Sequence, residues 1–305
     1  MKKKRCLFFA ALAVVVAVSA LLGYWQFRGR RVVAKTTELT IKNREDTVVA
    51  LRNGFRNHAK QITISFETTG DAKGQIETLA EELVEEALAE TDNPTEGDYI
   101  RFQYGGYQIR YSHTESRNGF INTLKIIPDY YTFYVQEEQV SAWVDEILRS
   151  FHFDNKTSEY QRIKAIYQYV YENVSYDKVH KEKKHKHLKT TAYAALKYRT
   201  AVCQGYAVLM YRLLREAGIH TRIITGEAVT ASGDSERHAW NLVECGGVYY
   251  HVDVTLDKAQ ESHEFFMKSE DDFPGHKRDE QYMTGDFLKN YKMADKSYRE
   301  RMKNK

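Results

Sequence analysis

Gly246-Gly247 stands between two runs that both read as strands, His238 to Cys245 and Val248 to Thr255. A two-glycine turn supplies the positive φ angles of a tight hairpin, and a tight hairpin fixes register. Cys245 then pairs with Val248, and Trp240 with Asp253. His238 lies two residues from Trp240 on the same face, so His238 and Asp253 become diagonal neighbours, roughly 7–8 Å apart at the backbone and within side-chain reach. A carboxylate placed there can hold one imidazole nitrogen and aim the other at a nucleophile. The same register turns Cys245 to the opposite face.

The nucleophile stands upstream. From Ala207 to Gly218 apolar residues recur at three- and four-residue spacing, and Gly218 is a stop signal, so the run predicts an amphipathic helix. Cys203 falls at or next to its first turn. Free backbone N–H groups and the positive end of the helix dipole suit a thiolate at that place, and the thiolate is the reactive form. Thr221 to Ala228, rich in β-branched residues, predicts a strand between the helix and the hairpin.

Three runs together carry a family resemblance: Val-Cys-Gln-Gly-Tyr-Ala at 202–207, His-Ala-Trp-Asn at 238–241, and Tyr-His-Val-Asp-Val-Thr at 250–255. They resemble the core of the transglutaminase-like superfamily, in particular its secreted or membrane-anchored bacterial members, over about residues 155–257. The resemblance implies an α+β fold with a papain-like core, in which a helix bearing the Cys packs on an antiparallel sheet bearing the His and Asp. It implies Cys203 as nucleophile, His238 as general base and acid, and Asp253 as the residue that orients the ring. It also implies an oxyanion hole made partly by the Cys203 N–H, with Tyr193 or Gln204 as the side-chain donor. Tyr206 and Trp240 are candidates for the substrate groove. The approach to the Cys, Tyr198-Arg199-Thr200-Ala201, departs from the Gly-rich approach common in bacterial members.

The 305 residues suffice for one medium core and a second, smaller lobe. Charges of both signs are interspersed and the net charge is +3, so nothing calls for a nucleic-acid partner. Of three cysteines, Cys6 lies in the N-terminal stretch, and Cys203 and Cys245 face apart, so no disulfide framework is expected. Lys2-Lys3-Lys4-Arg5 precedes an uncharged apolar stretch from Cys6 to Tyr24, close to the about 20 residues that span a bilayer. The basic flank would stay inside and the rest of the chain outside. Two readings fit residues 1–30: an uncut anchor, which the continuing apolar run and Trp25 favour, or a signal peptide cut after Ala20, which would release the protein.

Residues 35–151 predict an α+β lobe. Helices are expected at 47–60, 73–90 and 137–151, and strands at 61–67, 99–111 and 120–135. Residues 155–270 hold the candidate catalytic domain, opened by a helix at 157–174 that Thr157 or Ser158 can cap. A solvated loop at 178–189, with His180, His185 and His187 among lysines, predicts no metal site. A short helix at 190–198 leads to Cys203, and 264–267 predicts a closing strand. The polar extension 271–305 carries no expected chemistry, with Tyr282, Phe287 and Tyr291 as anchors. No cofactor or metal is expected. The implied activity is a thiol reaction on amide bonds outside the membrane, by hydrolysis or by crosslinking, on a protein or peptide such as cell-wall peptide. The alternative is a surface module that binds without catalysis.

Overall fold

The computed structural model describes residues 44–177, 187–229 and 233–303, and the backbone of 37–40. The expected membrane segment at 1–30 and most of the 178–189 loop lie outside these residues. No helix among those described is long and apolar enough to cross a membrane.

Alternation at Ile62, Ile64 and Phe66 produces β2 (Ile62–Thr68) in a four-stranded sheet of order β1–β2–β4–β3. Its other strands are β1 (Thr37–Thr40), β3 (Tyr104–Ser116) and β4 (Gly119–Tyr130). Helices α1 (Arg44–Arg56) and α2 (Ile76–Ala87) bury Leu51, Phe55, Ala80, Leu83 and Val84 with Ile62, Ile64, Leu124 and Ile126. Each fully buried Leu or Ile here contributes about 1.5–3 kcal/mol of transfer free energy. That burial, rather than helix propensity, holds these two acidic-to-mixed helices in place.

Two boundaries differ from expectation. Tyr99 does not begin a strand: α3 (Asp98–Arg101) precedes β3. The cause is polar. The Asp98 N–H donates to Glu90 Oε1 at 2.6 Å, and the Asp98 carboxylate takes Arg222 through two nitrogens, at 2.7 and 3.1 Å. The aromatic run after Tyr130 also divides. Phe133 donates its N–H to Gln136 Oε1 at 2.8 Å, and Tyr134 opens α4 (Tyr134–Ser150).

Val140, Val144 and Ile147 of α4 join the larger core with Ile163, Ile166 and Val170 of α5 (Glu159–Asn173). Ser158 is the N-cap of α5 and accepts the Gln161 N–H at 3.3 Å. Lys35–Lys305 form one compact unit containing both cores. The larger core packs α7 (Cys203–Glu216) against a five-stranded antiparallel sheet of order β10–β9–β8–β7–β11. These strands are β7 (Thr221–Val229), β8 (Ser235–Glu244), β9 (Tyr249–Val252), β10 (Phe266–Lys268) and β11 (His276–Arg278). Trp240, Ile224 and Leu242 form a separate small core with Phe273, Tyr282 and Phe287, which seats the C-terminal extension on the sheet. The run after β9 does not continue as strand to Thr255. Asp253 caps a short helix, α8 (Val254–Ala259), instead.

Glu90 gives the fold a pH dependence. Burial, with the Asp98 charge next, pushes its carboxyl up to about 7, and Tyr211 donates to Glu90 Oε2 at 2.8 Å. The folded chain therefore holds this proton more tightly than the unfolded chain, whose value is near 4.5. The resulting stability is fully present below that unfolded value and is lost as pH rises through about 7. Glu90→Gln keeps an oxygen for the Asp98 N–H and removes the ionisation. Thermal melts across this range should lose that slope, and the variant should melt a few degrees above the parent at pH 8.

Candidate active site

Cys203 is the first residue of α7, with Val202 as the N-cap. First-turn N–H groups have no acceptor within their helix, so the sulfur stands at the positive end of the dipole. α7 is buried from Gly205 to Arg215, which seats its first turn firmly. Gly205 makes the seat possible. A Cβ there would lie 2.6 Å from Lys189 O and 2.8 Å from the Ala201 Cβ. The same approach lets the Val202 N–H reach Lys189 O at 3.1 Å. Asn241 on β8 ties the next turn to the sheet, donating Nδ2 to Ala207 O at 3.0 Å. The non-glycine approach is also accounted for. Arg199 adopts a φ of +55°, the left-handed conformation glycine takes freely, and donates Nη1 to the Tyr169 hydroxyl at 2.9 Å.

The hairpin has the register its turn implies: Asn241 pairs with Val252, Leu242 with His251, and the Cys245 N–H donates to Val248 O at 2.9 Å. Gly246 and Gly247 hold φ of +65° and +77°. His238 and Asp253 meet, with His238 Nε2 2.7 Å from Asp253 Oδ2. Burial opposes a charged ring here. The Asp253 charge and hydrogen bond overcome it, Cys203 adds smaller contributions, and the imidazole is raised to about 10. Asp253 is fully buried, which disfavours its charge. His238 and a second imidazole nonetheless hold its carboxyl well below the usual carboxylate range. Its other oxygen, Oδ1, accepts the Leu256 N–H at 3.0 Å, so one residue both caps α8 and orients His238.

The second imidazole is His276, whose Nε2 lies 3.0 Å from Asp253 Oδ2. It comes from β11, in the extension expected to hold no chemistry. Three residues reading His-Lys-Arg carry no alternation that would announce a strand. Tyr176 is the other residue missed as part of the site. It lies on β5 (Ser175–Tyr176), paired in parallel with β6 (Thr200–Ala201), so that Tyr176 faces Ala201 two residues before the Cys. Burial first, then the neighbouring Cys203, pushes its phenol up to about 12.

Other expected residues have different surroundings. Gln204 donates Nε2 to Phe102 O at 2.6 Å. Tyr193, on α6 (Ala192–Lys197), is buried between Trp143 and Tyr198, with ring centroids 5.8 and 6.1 Å away. Tyr206 and Trp240 are core residues rather than groove residues, each 1% exposed. Tyr206 donates its hydroxyl to Val174 O at 2.7 Å, and Trp240 donates Nε1 to His251 Nδ1 at 2.9 Å. Strands buried on both faces remove the distinction between wall and core that alternation would otherwise give.

His238, Asp253 and His276 offer donor atoms within 4.8 Å of one another, of the kinds zinc accepts. His238 Nε2 and His276 Nε2 are already engaged with Asp253 Oδ2. A cavity of about 210 Å³ lies in the N-terminal part, lined by Phe55, His58, Tyr99, Tyr130 and Glu137 among others, and includes none of the site residues. A thiol, an imidazole and a carboxylate so arranged can move a proton from sulfur to ring and onward to a leaving group.

Residues 146–254 match the family model of the transglutaminase-like superfamily. Seven chains of solved structure are similar. One is a candidate cysteine protease from Cytophaga hutchinsonii, 19% identical over 48% of this chain and 62% of that one, with a TM-score of 0.31. Another is a TGase, 14% identical over 72% of this chain and 59% of that one, TM-score 0.32. A third is a candidate protease from Parabacteroides distasonis, 8% identical over 63% of this chain and 39% of that one, TM-score 0.27. The chain thus spans under two thirds of the length of each. No curated protein matches.

Proposed function

Because residues 146–254 form a transglutaminase-like domain, we propose that the protein is a thiol enzyme acting on amide bonds of proteins or peptides. The observation that carries the reading is the buried 2.7 Å contact of His238 with Asp253, coupled to a Cys at the first position of α7. The Cys203 sulfur attacks the amide carbonyl carbon, and His238 holds the proton lost from sulfur. The Cys203 N–H, at the helix N-terminus, faces the oxyanion that develops. Collapse of the tetrahedral adduct breaks the C–N bond, and His238 returns the proton to the departing amine. The product is a thioester on Cys203. Attack by water then gives a carboxylic acid and the free thiol, whereas attack by an amine gives a new amide and the free thiol. Hydrolysis is preferred, since water needs no second binding site. The basic and apolar N-terminal segment supports a place outside the membrane, anchored or released, where cell-wall peptides are one substrate class.

Alkylation tests the reading. Iodoacetamide at pH 7, followed by peptide mass, should label Cys203 well ahead of Cys245, which is buried and whose thiol is pushed up to about 11 by that burial and by Glu159. New chain termini in a peptide mixture would mark hydrolysis, and capture of a fluorescent amine would mark transfer. A Cys203 no more reactive than Cys245, with neither product, would replace the enzyme by a binding module.

A further inference from the structure

We propose that His276 is a positioning residue of the thiol site, acting through Asp253; the proposal rests on the reading of Cys203, His238 and Asp253 as one reacting group. The Asp253 side chain has no exposed surface, so water cannot satisfy its oxygens. Three donors do so: the Leu256 N–H on Oδ1, and both imidazoles on Oδ2 at 2.7 and 3.0 Å. With His238 alone on Oδ2, a buried charge would keep unfilled acceptor capacity beside the ring it has to hold in place. The His276 donor occupies that capacity and opposes rotation of the carboxylate away from His238.

The chain builds His276 in as a fixed group. Its side chain is 2% exposed. The ring stacks on Phe273, centroids 3.8 Å apart, and meets Trp240 edge-on at 5.1 Å. Its Nδ1 lies 3.2 Å from Pro274 O. β11 lies against β7, with His276 opposite Ala228 and Arg278 opposite Gly226. Gly226 permits that approach, since a Cβ there would lie 2.0 Å from Lys277 O. Just beyond the strand, Asp279 clasps the sheet, taking Arg237 at 2.6 and 2.7 Å while its N–H donates to Thr225 O at 3.0 Å. Phe273, His276 and the rest of β11 lie outside the stretch that matches the family model, whereas the β7 and β8 residues they meet lie within it. The 271–305 segment is thus a working part of the site.

The test measures Cys203 alkylation by iodoacetamide at pH 7 on the full chain, with thermal melts confirming the fold. His276→Gln can still donate to Asp253. His276→Phe keeps the ring stack without a donor, and His276→Met is a second donorless variant if His276→Phe disturbs folding. The donorless variant should react about tenfold more slowly than the parent, with His276→Gln recovering most of the rate. A folded donorless variant at the parent rate overturns the proposal, as does a folded His276→Gln as slow as the donorless form. His238→Ala is run alongside. If the parent reacts no faster than His238→Ala, the thiol reading itself fails and the role of His276 falls with it, an outcome separate from the other two.

Discussion

Replacing His238 with alanine should slow alkylation of Cys203 at pH 7 by about 10- to 100-fold and lower turnover of any amide substrate by about 10²- to 10⁴-fold. Two physical effects combine. The imidazole, raised to about 10, is the positive charge next to the sulfur at neutral pH, and its loss removes the local stabilisation of a thiolate. In the proposed reaction the leaving amine also loses its proton donor, which affects turnover but not alkylation. The two assays therefore separate activation of the nucleophile from acid catalysis. Cys203→Ala abolishes both signals, whereas Cys245→Ala leaves both near the parent level, since Cys245 lies in the core away from His238. Equal alkylation rates in parent and His238→Ala would remove the basis for an activated thiol.

What was legible in the chain was whatever local chemistry decides. Two glycines with positive φ set the hairpin register, and with it the meeting of His238 and Asp253. Apolar spacing and Gly218 set the helix that starts at Cys203. What escaped depends on contacts distant in sequence. His276 reaches Asp253 only because a three-residue edge strand pairs with β7 fifty residues upstream. Tyr99 was drawn into a helix by Glu90 and Arg222 acting on Asp98, which no pattern near Tyr99 announces. The α8 helix is hidden in the sequence for another reason. Asp253 before Val254-Thr255-Leu256 is a helix cap by type, but its place in a β-rich run and its catalytic assignment masked that second role.

Asp253→Ala should destabilise the fold by about 3–5 kcal/mol, since it leaves two buried imidazoles without their acceptor and removes the cap of α8. Asp253→Asn should cost less, because its amide oxygen can still cap the helix or face one ring. The pH dependence distinguishes the contributions. His238 has its folded value raised from 6.5 to about 10, so its share of stability is fully present below about 6.5 and is lost as pH rises through about 10. Asp253 has its folded value depressed, so its share is present above its unfolded value of 3.8 and is lost as pH falls through the lower folded one. These are two views of one interaction and count once. Its full strength falls between about pH 4 and 6.5. Denaturant titrations of the parent should therefore lose stability on the order of a few kcal/mol from neutral pH to pH 10. Asp253→Asn cannot bind the imidazolium by charge, and its curve should be nearly level over that range. The Glu90 contribution lies lower, between about 4.5 and 7, so the two slopes can be assigned separately by combining Glu90→Gln with Asp253→Asn. A parent curve already level from pH 7 to 10 would mean that the buried His238–Asp253 pair does not carry the charge its geometry requires.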